Sequence, residues 1–201
     1  MITAFALVLS ATGPSFDCAK AATDVEEMIC SDEALAAADR AVAKLYASIT
    51  PPEKKALFGK QADWLANRDR CADKTCIVAS YEDRLIDLWI GSGGLRTRDY
   101  QGRGNPDRTL SILDLGNGWS AFFAQAIWTG STEGAVHNTE AAGVFRLVKG
   151  HASRAPTADY DCGWRIQLLS RGRWKLEDWT YEQNEGQCGA VNASVAGVYS
   201  P

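Results

Sequence analysis

The sequence predicts an α+β protein, with a small disulfide-tied helical domain followed by an antiparallel β-barrel or sandwich domain. Three observations predict it. Residues 14–90 hold a single glycine, Gly59, and are rich in Ala, Leu, Glu, Asp and Lys, which favour helix. Beyond Gly91-Ser-Gly-Gly94 lie most of the glycines and five of the seven tryptophans (Trp119, Trp128, Trp164, Trp174 and Trp179), among β-forming residues. The six cysteines divide four and two between these halves. The domains read as residues 14–90 and 109–201, joined by a linker at 91–108.

Residues 1–13 are a short apolar stretch ending in small residues, the pattern of a signal peptide without its positive leader. A mature chain starting near Pro14 is therefore expected to be periplasmic or secreted. A lipid anchor is not expected, because Gly-Pro-Ser-Phe-Asp separates the apolar run from Cys18. In an exported chain the even set Cys18, Cys30, Cys71, Cys76, Cys162 and Cys188 reads as three disulfides. Zinc is the competing reading for the first four, but they lack a Cys-x-x-Cys pair and any nearby histidine. Three pairings of those four cysteines stay open. Joining Cys162 to Cys188 would contribute roughly 3–4 kcal/mol on the loop-entropy model.

In the first half, Thr23-Asp-Val-Glu26 is a capping-box pattern, and Ser31-Asp-Glu reads as an N-cap followed by first-turn acids. Leu35, Ala38, Val42, Leu45, Tyr46 and Ile49 recur at helical spacing. Thr50-Pro-Pro-Glu53 ends that helix and starts a second, which carries Leu57, Phe58, Gln61, Trp64, Leu65 and Arg68. A third helix spans about 73–89, with Ile77, Tyr81, Leu85, Leu88 and Trp89 inward. A domain this small has a thin core and needs its disulfides.

In the second half, strand-like runs occupy residues 109–115, 119–129, 142–149, 164–170, 173–181 and 190–199. One hairpin can be registered. With Ser170-Arg171-Gly172 as its loop, Arg165 faces Glu177 and Gln167 faces Lys175, while Trp164, Ile166, Leu168, Trp174 and Leu176 share a face. Gly172 takes the left-handed position such a loop requires.

The order Phe16-Asp-Cys18-Ala-Lys-Ala, Val25-Glu26-x-x-Ile29-Cys30, Leu35-x-x-x-Asp39, Tyr46, Trp64-Leu-x-x-Arg68-Asp69-x-Cys71, Cys76 and Tyr81-x-x-Arg84-x-x-x-Leu88 is not generic. It resembles the LprI-like N-terminal domain, a helical disulfide-containing module of exported bacterial proteins named after a lysozyme inhibitor. The resemblance covers about residues 15–90 and implies inhibition by binding, with a basic lysozyme-type protein as partner. Within it, Trp64 and Leu65 read as core, and Arg68, Asp69 and Arg84 as ion pairs between helices. The β half matches no family by its motifs, and only in outline is its architecture that of small periplasmic inhibitor barrels.

Charge agrees with that implication. Residues 14–90 hold 14 acidic and 10 basic residues, and residues 91–201 hold 11 of each, so the net charge of −4 lies in the helical half. No basic residue falls between Lys20 and Arg40. Asp24, Glu26, Glu27, Asp32 and Glu33 are the candidate acidic interface, which would steer a basic partner. Acids favour first helical turns in any case, which accounts for the same run without a partner. No basic stripe points to nucleic acid, and no apolar run reaches the ~20 residues of a membrane span.

Chemistry is sparse. There is no Gly-x-Ser-x-Gly elbow and no phosphate-binding Gly loop. His137 and His151 read as solvated loop residues. Glu177-Asp178 and Asp159-x-Asp161 are the nearest thing to a glycosidase carboxylate pair. No catalytic, cofactor or metal residue is expected. The sequence favours an exported binding protein over an enzyme. The alternative is an envelope scaffold or glycan-binding or ligand-binding module whose tryptophans line a groove.

Overall fold

The computed structural model describes residues 13–56, 60–91, 97–103, 107–129, 136–156, 162–180 and 193–201. The expected signal segment therefore lies outside the described residues, apart from Gly13. Helix α1 (Asp24–Ser31) opens with the expected capping box. Thr23 Oγ1 accepts the Glu26 N–H at 3.1 Å, and the Glu26 carboxylate accepts the Thr23 N–H at 3.2 Å. Cys18, in a 3-10 turn ahead of α1, is bonded to Cys30 near its end.

The cap expected at Ser31 falls one residue later. Ser31 turns its hydroxyl back onto Met28 O at 3.0 Å and ends α1. Asp32 Oδ1 instead accepts the N–H groups of Ala34 and Leu35, starting α2 (Glu33–Ser48). The stretch read as one helix contains two, α3 (Pro51–Ala56) and α4 (Gln61–Arg68). Helix α5 (Lys74–Gly91) follows the Cys71–Cys76 disulfide. The two disulfides choose among the three open pairings. Cys162 is also disulfide-bonded, and Cys188, its expected partner, lies outside the described residues.

The second half is one antiparallel sheet of eight strands. These are β1 (Arg98–Gly102), β2 (Arg108–Gly116), β3 (Trp119–Thr129), β4 (Val136–Arg146), β5 (His151–Arg154), β6 (Cys162–Leu168), β7 (Trp174–Thr180) and β8 (Gly197–Ser200). Their spatial order is β4-β3-β2-β1-β8-β7-β6-β5. The edge strands β4 and β5 are consecutive in the chain and joined by the short turn that pairs Val148 with His151. A sheet whose two edges are tied this way must curl, so it is a nearly closed barrel, which also protects its edges.

The predicted hairpin has the expected register, Arg165 against Glu177 and Gln167 against Lys175, with Gly172 at φ +66°. Leu168 departs from its expected inward face and is 43% exposed, beyond the end of the barrel core. The last strand is shorter than expected. Ser194 Oγ accepts the Ala196 N–H at 3.0 Å and donates to Asp178, holding residues 194–196 out of the ladder. Strands β1 and β5 carry no strand-like apolar run and were not expected. Both histidines stand on strands rather than loops, His137 on β4 and His151 on β5.

Two cores meet at the sheet. Inside the barrel, Leu110, Phe122, Trp164, Ile166, Leu176 and Tyr199 pack together. On its outer face, Leu113, Ala121, Phe123 and Ala142 join the helical core of α1, α2 and α5. Trp89 of α5 stacks on Phe123 with ring centroids 5.8 Å apart. Phe122 and Phe123 thus face opposite cores, which is why β3 reads as a continuous apolar run rather than an alternating one.

Candidate functional site

Where α2 and α5 cross the β4–β6 end of the barrel, a cleft of about 390 Å³ opens between the two cores. Helix α5 contributes Lys74, Val78, Tyr81, Glu82 and Leu85, which share one helical face. Tyr81, Trp119, Phe145 and Trp164 supply aromatic wall. Trp164 is held in place from two sides. Its ring lies edge-on to Phe122 at 5.0 Å and covers Gly143, where a Cβ would come within 2.8 Å of the indole. Only glycine at 143 permits that approach.

The charged residues of the cleft are all engaged. Lys74 pairs with Asp32, and Arg146 pairs with Glu33 at 2.7 Å. Glu82 is 5% exposed, and its Oε1 accepts both Arg154 Nε at 2.8 Å and Trp164 Nε1 at 3.1 Å. Burial pushes the Glu82 carboxyl up to about 7, against the pull of Arg154 and Trp164. Glu82 was missed in the sequence. Its signal was a carboxylate within the Val78, Tyr81, Leu85 stripe of α5, where a polar residue breaks an apolar face.

The motif residues of the helical half form internal wiring rather than a cleft. Tyr81 Oη donates to Asp39 Oδ1 at 2.9 Å and accepts from Arg68 Nη1 at 3.1 Å. Arg68 also binds Asp69 Oδ1 through Nε and Nη2, at 2.9 and 2.6 Å. The Ser15 N–H reaches Asp39 Oδ2 at 2.6 Å, tying down the chain ahead of Cys18. Trp64 donates to Ser80 O at 3.2 Å, and Arg84 donates to Gln61 and pairs with Asp87. Burial raises the Tyr81 phenol well above its usual range, and the Asp39 carboxylate adds to this, so Tyr81 acts as a neutral hydroxyl relay.

The five candidate interface acids have different environments. Asp24 and Glu27 are exposed on α1. Glu26 is bound into the capping box, and the N–H groups of Ala22 and Thr23 hold its carboxyl below the usual range. Asp32 is partly buried, which alone would raise it. Its ion pair with Lys74 and its cap bonds outweigh that and lower it. Glu33 is the acid paired with Arg146. The structure brings Asp32 and Glu33 to the cleft's charged residues and leaves Asp24 and Glu27 exposed in the first turn of α1.

Of the carboxylate pairs read in the sequence, Glu177 binds Lys175 at 2.5 Å while Asp178 accepts from Ser194. Asp159 and Asp161 lie outside the described residues. Among the described residues, no group of three His, Cys, Asp or Glu side chains could hold a metal, and no helix is long and apolar enough to cross a membrane.

Residues 18–93 match the family model described as lysozyme inhibitor LprI. Similar curated proteins are Lipoprotein LprI of Mycobacterium bovis and Lipoprotein LprI of Mycobacterium tuberculosis, each 32% identical over 90 residues. The alignment covers 42% of this chain and 46% of each relative, so the chain spans about half the length of the curated relatives it matches. No solved structure matches the chain. The resemblance to the LprI family carried by the cysteines, Trp64, Arg68, Tyr81 and Arg84 thus holds over residues 18–93, the helical half.

Proposed function

We propose that the protein is an exported, non-catalytic inhibitor that binds a lysozyme-type wall hydrolase and occludes it. The observation that carries this reading is the match of residues 18–93 to the lysozyme inhibitor LprI family. The excess acid of the helical half supports it, because lysozymes as a class are basic and opposite charge speeds encounter. Asp24 and Glu27, exposed on α1 and bound neither in a helix cap nor in an ion pair with the cleft, are the acids that would meet such a partner first. In this reading the helical half and the barrel act as two domains, with the barrel as mount or second contact.

The test is inhibition of a c-type lysozyme on a cell-wall suspension by the full chain, at low and high salt. At tenfold molar excess, lysis should slow markedly, and inhibition should weaken several-fold as salt screens the charges. Failure to slow c-, g- or i-type lysozymes under those conditions would overturn the reading.

A further inference from the structure

We propose that the cleft between α2, α5 and the β4–β6 end of the barrel binds a small neutral molecule made of an apolar ring and one hydroxyl donor, received by the second carboxylate oxygen of Glu82. This proposal does not depend on the inhibitory role.

The cleft has the make-up of a ligand site. It is concave, mostly apolar, of a size for a small molecule, and carries a single buried carboxylate on its wall. Aromatic rings of Tyr81, Trp119, Phe145 and Trp164 favour a flat ring between them. The wall is preformed, since Trp164 is fixed by Phe122, by the glycine at 143 and by its bond to Glu82. Preorganised walls lower the ordering cost of binding.

Glu82 supplies the polar contact. Both its protein donors, Arg154 Nε and Trp164 Nε1, go to Oε1, and Oε2 takes no donor from the described residues. Glu82 lines the cleft, and a hydrogen bond to a carboxylate oxygen is stronger in a largely apolar site than in water, so a donor arriving from the cleft gains there. The charge of the lining selects the donor. Lys74, Arg146 and Arg154 all line the cleft, against the single carboxylate of Glu82. A cationic head would have to displace Lys74, Arg146 or Arg154 from the carboxylate each already pairs with. An anionic head would meet the carboxylate and would have to compete with Asp32 and Glu33 for cations already paired. A neutral hydroxyl avoids both penalties.

Calorimetric titration of the full chain at pH 8, above the value of about 7 for the Glu82 carboxyl, with 1-naphthol, 1-methoxynaphthalene and 1-naphthoate tests this. Naphthol should bind in the submillimolar range. Methoxynaphthalene, which keeps the ring and loses the donor, should bind at least tenfold more weakly, and naphthoate more weakly still. Glu82→Gln, whose amide can present a donor to the cleft, should abolish the preference for naphthol over methoxynaphthalene. Ala34→Trp, which fills the mouth from α2, should abolish naphthol binding in a chain that keeps its circular dichroism. The proposal is overturned if naphthol fails to bind at millimolar concentration, if methoxynaphthalene or naphthoate binds as well as naphthol, or if folded Ala34→Trp binds naphthol unchanged. The comparison of the three probes on the native chain decides the matter even if neither variant folds.

Discussion

The Glu82 carboxylate on α5 accepts the Trp164 indole N–H of β6 across 3.1 Å, joining residues 82 positions apart. This bond and the Arg154 ion pair beside it fasten the helical half to the rim of the barrel. The carboxylate is buried at the seam of two cores, where ionisation is costly.

Stability should therefore depend on pH through Glu82. Its folded pKa, about 7, lies above the ordinary value of 4.5, so the folded state holds the proton more tightly. The stabilisation is fully present below pH 4.5 and is lost as pH rises through 7, by up to roughly 3 kcal/mol. Asp83 adds to the upward push and Arg154 opposes it. Urea unfolding at pH 4.5 and 7.5 should show this decline, and Glu82→Gln should flatten it. An unchanged slope in the variant would assign the dependence to other groups.

The Asp39, Tyr81, Arg68 relay should be unequal in its parts. Tyr81→Phe removes one hydroxyl and should cost about 1–3 kcal/mol. Arg68→Ala leaves Asp39 buried without its cation and should cost more, about 3–5 kcal/mol. Denaturant titrations of the two variants measure the order, and equal costs would contradict it.

Gly143→Ala should destabilise the protein by about 1–3 kcal/mol, because the new methyl overlaps a fixed indole ring. The near-ultraviolet circular dichroism should change with it, as Trp164 is forced to move. A silent spectrum with unchanged stability would mean the ring has room to yield.

Removal of the two disulfides of the helical half should also be unequal. Cys18 and Cys30 are 12 residues apart and Cys71 and Cys76 only 5. The loop-entropy model assigns about 3 kcal/mol to the first and about 2 kcal/mol to the second. Paired Cys→Ser variants, compared by thermal unfolding, should rank in that order, and full reduction should lower the helical signal at neutral pH.

For the acidic face, Asp24→Lys with Glu27→Lys should weaken lysozyme inhibition and reduce its salt dependence while leaving stability within about 0.5 kcal/mol. Equal inhibition by the double variant would move the contact away from α1.

Much of this protein is legible in its sequence where the governing interactions are local. The capping box at Thr23 and Glu26 and the register of the β6–β7 hairpin follow from residues a few positions apart. So does the left-handed backbone at Gly172. The apolar stripe of α5 could likewise be read by its period. The LprI-like motif was legible as a pattern, but its meaning as a relay between Asp39, Tyr81 and Arg68 was not, since Asp39 and Tyr81 are 42 residues apart.

The sequence by itself determined the helical and β halves and the turns that shape them, because propensity, caps and alternation act over a few residues. Only the tertiary structure decided the cysteine pairing, the two strands without an apolar run and the curling of the sheet until β4 meets β5. It alone placed Glu82 in a cleft between two cores. A carboxylate on an apolar helical stripe has no fate until something covers it, and what covers Glu82 arrives from Arg154 and Trp164, 72 and 82 residues further along the chain.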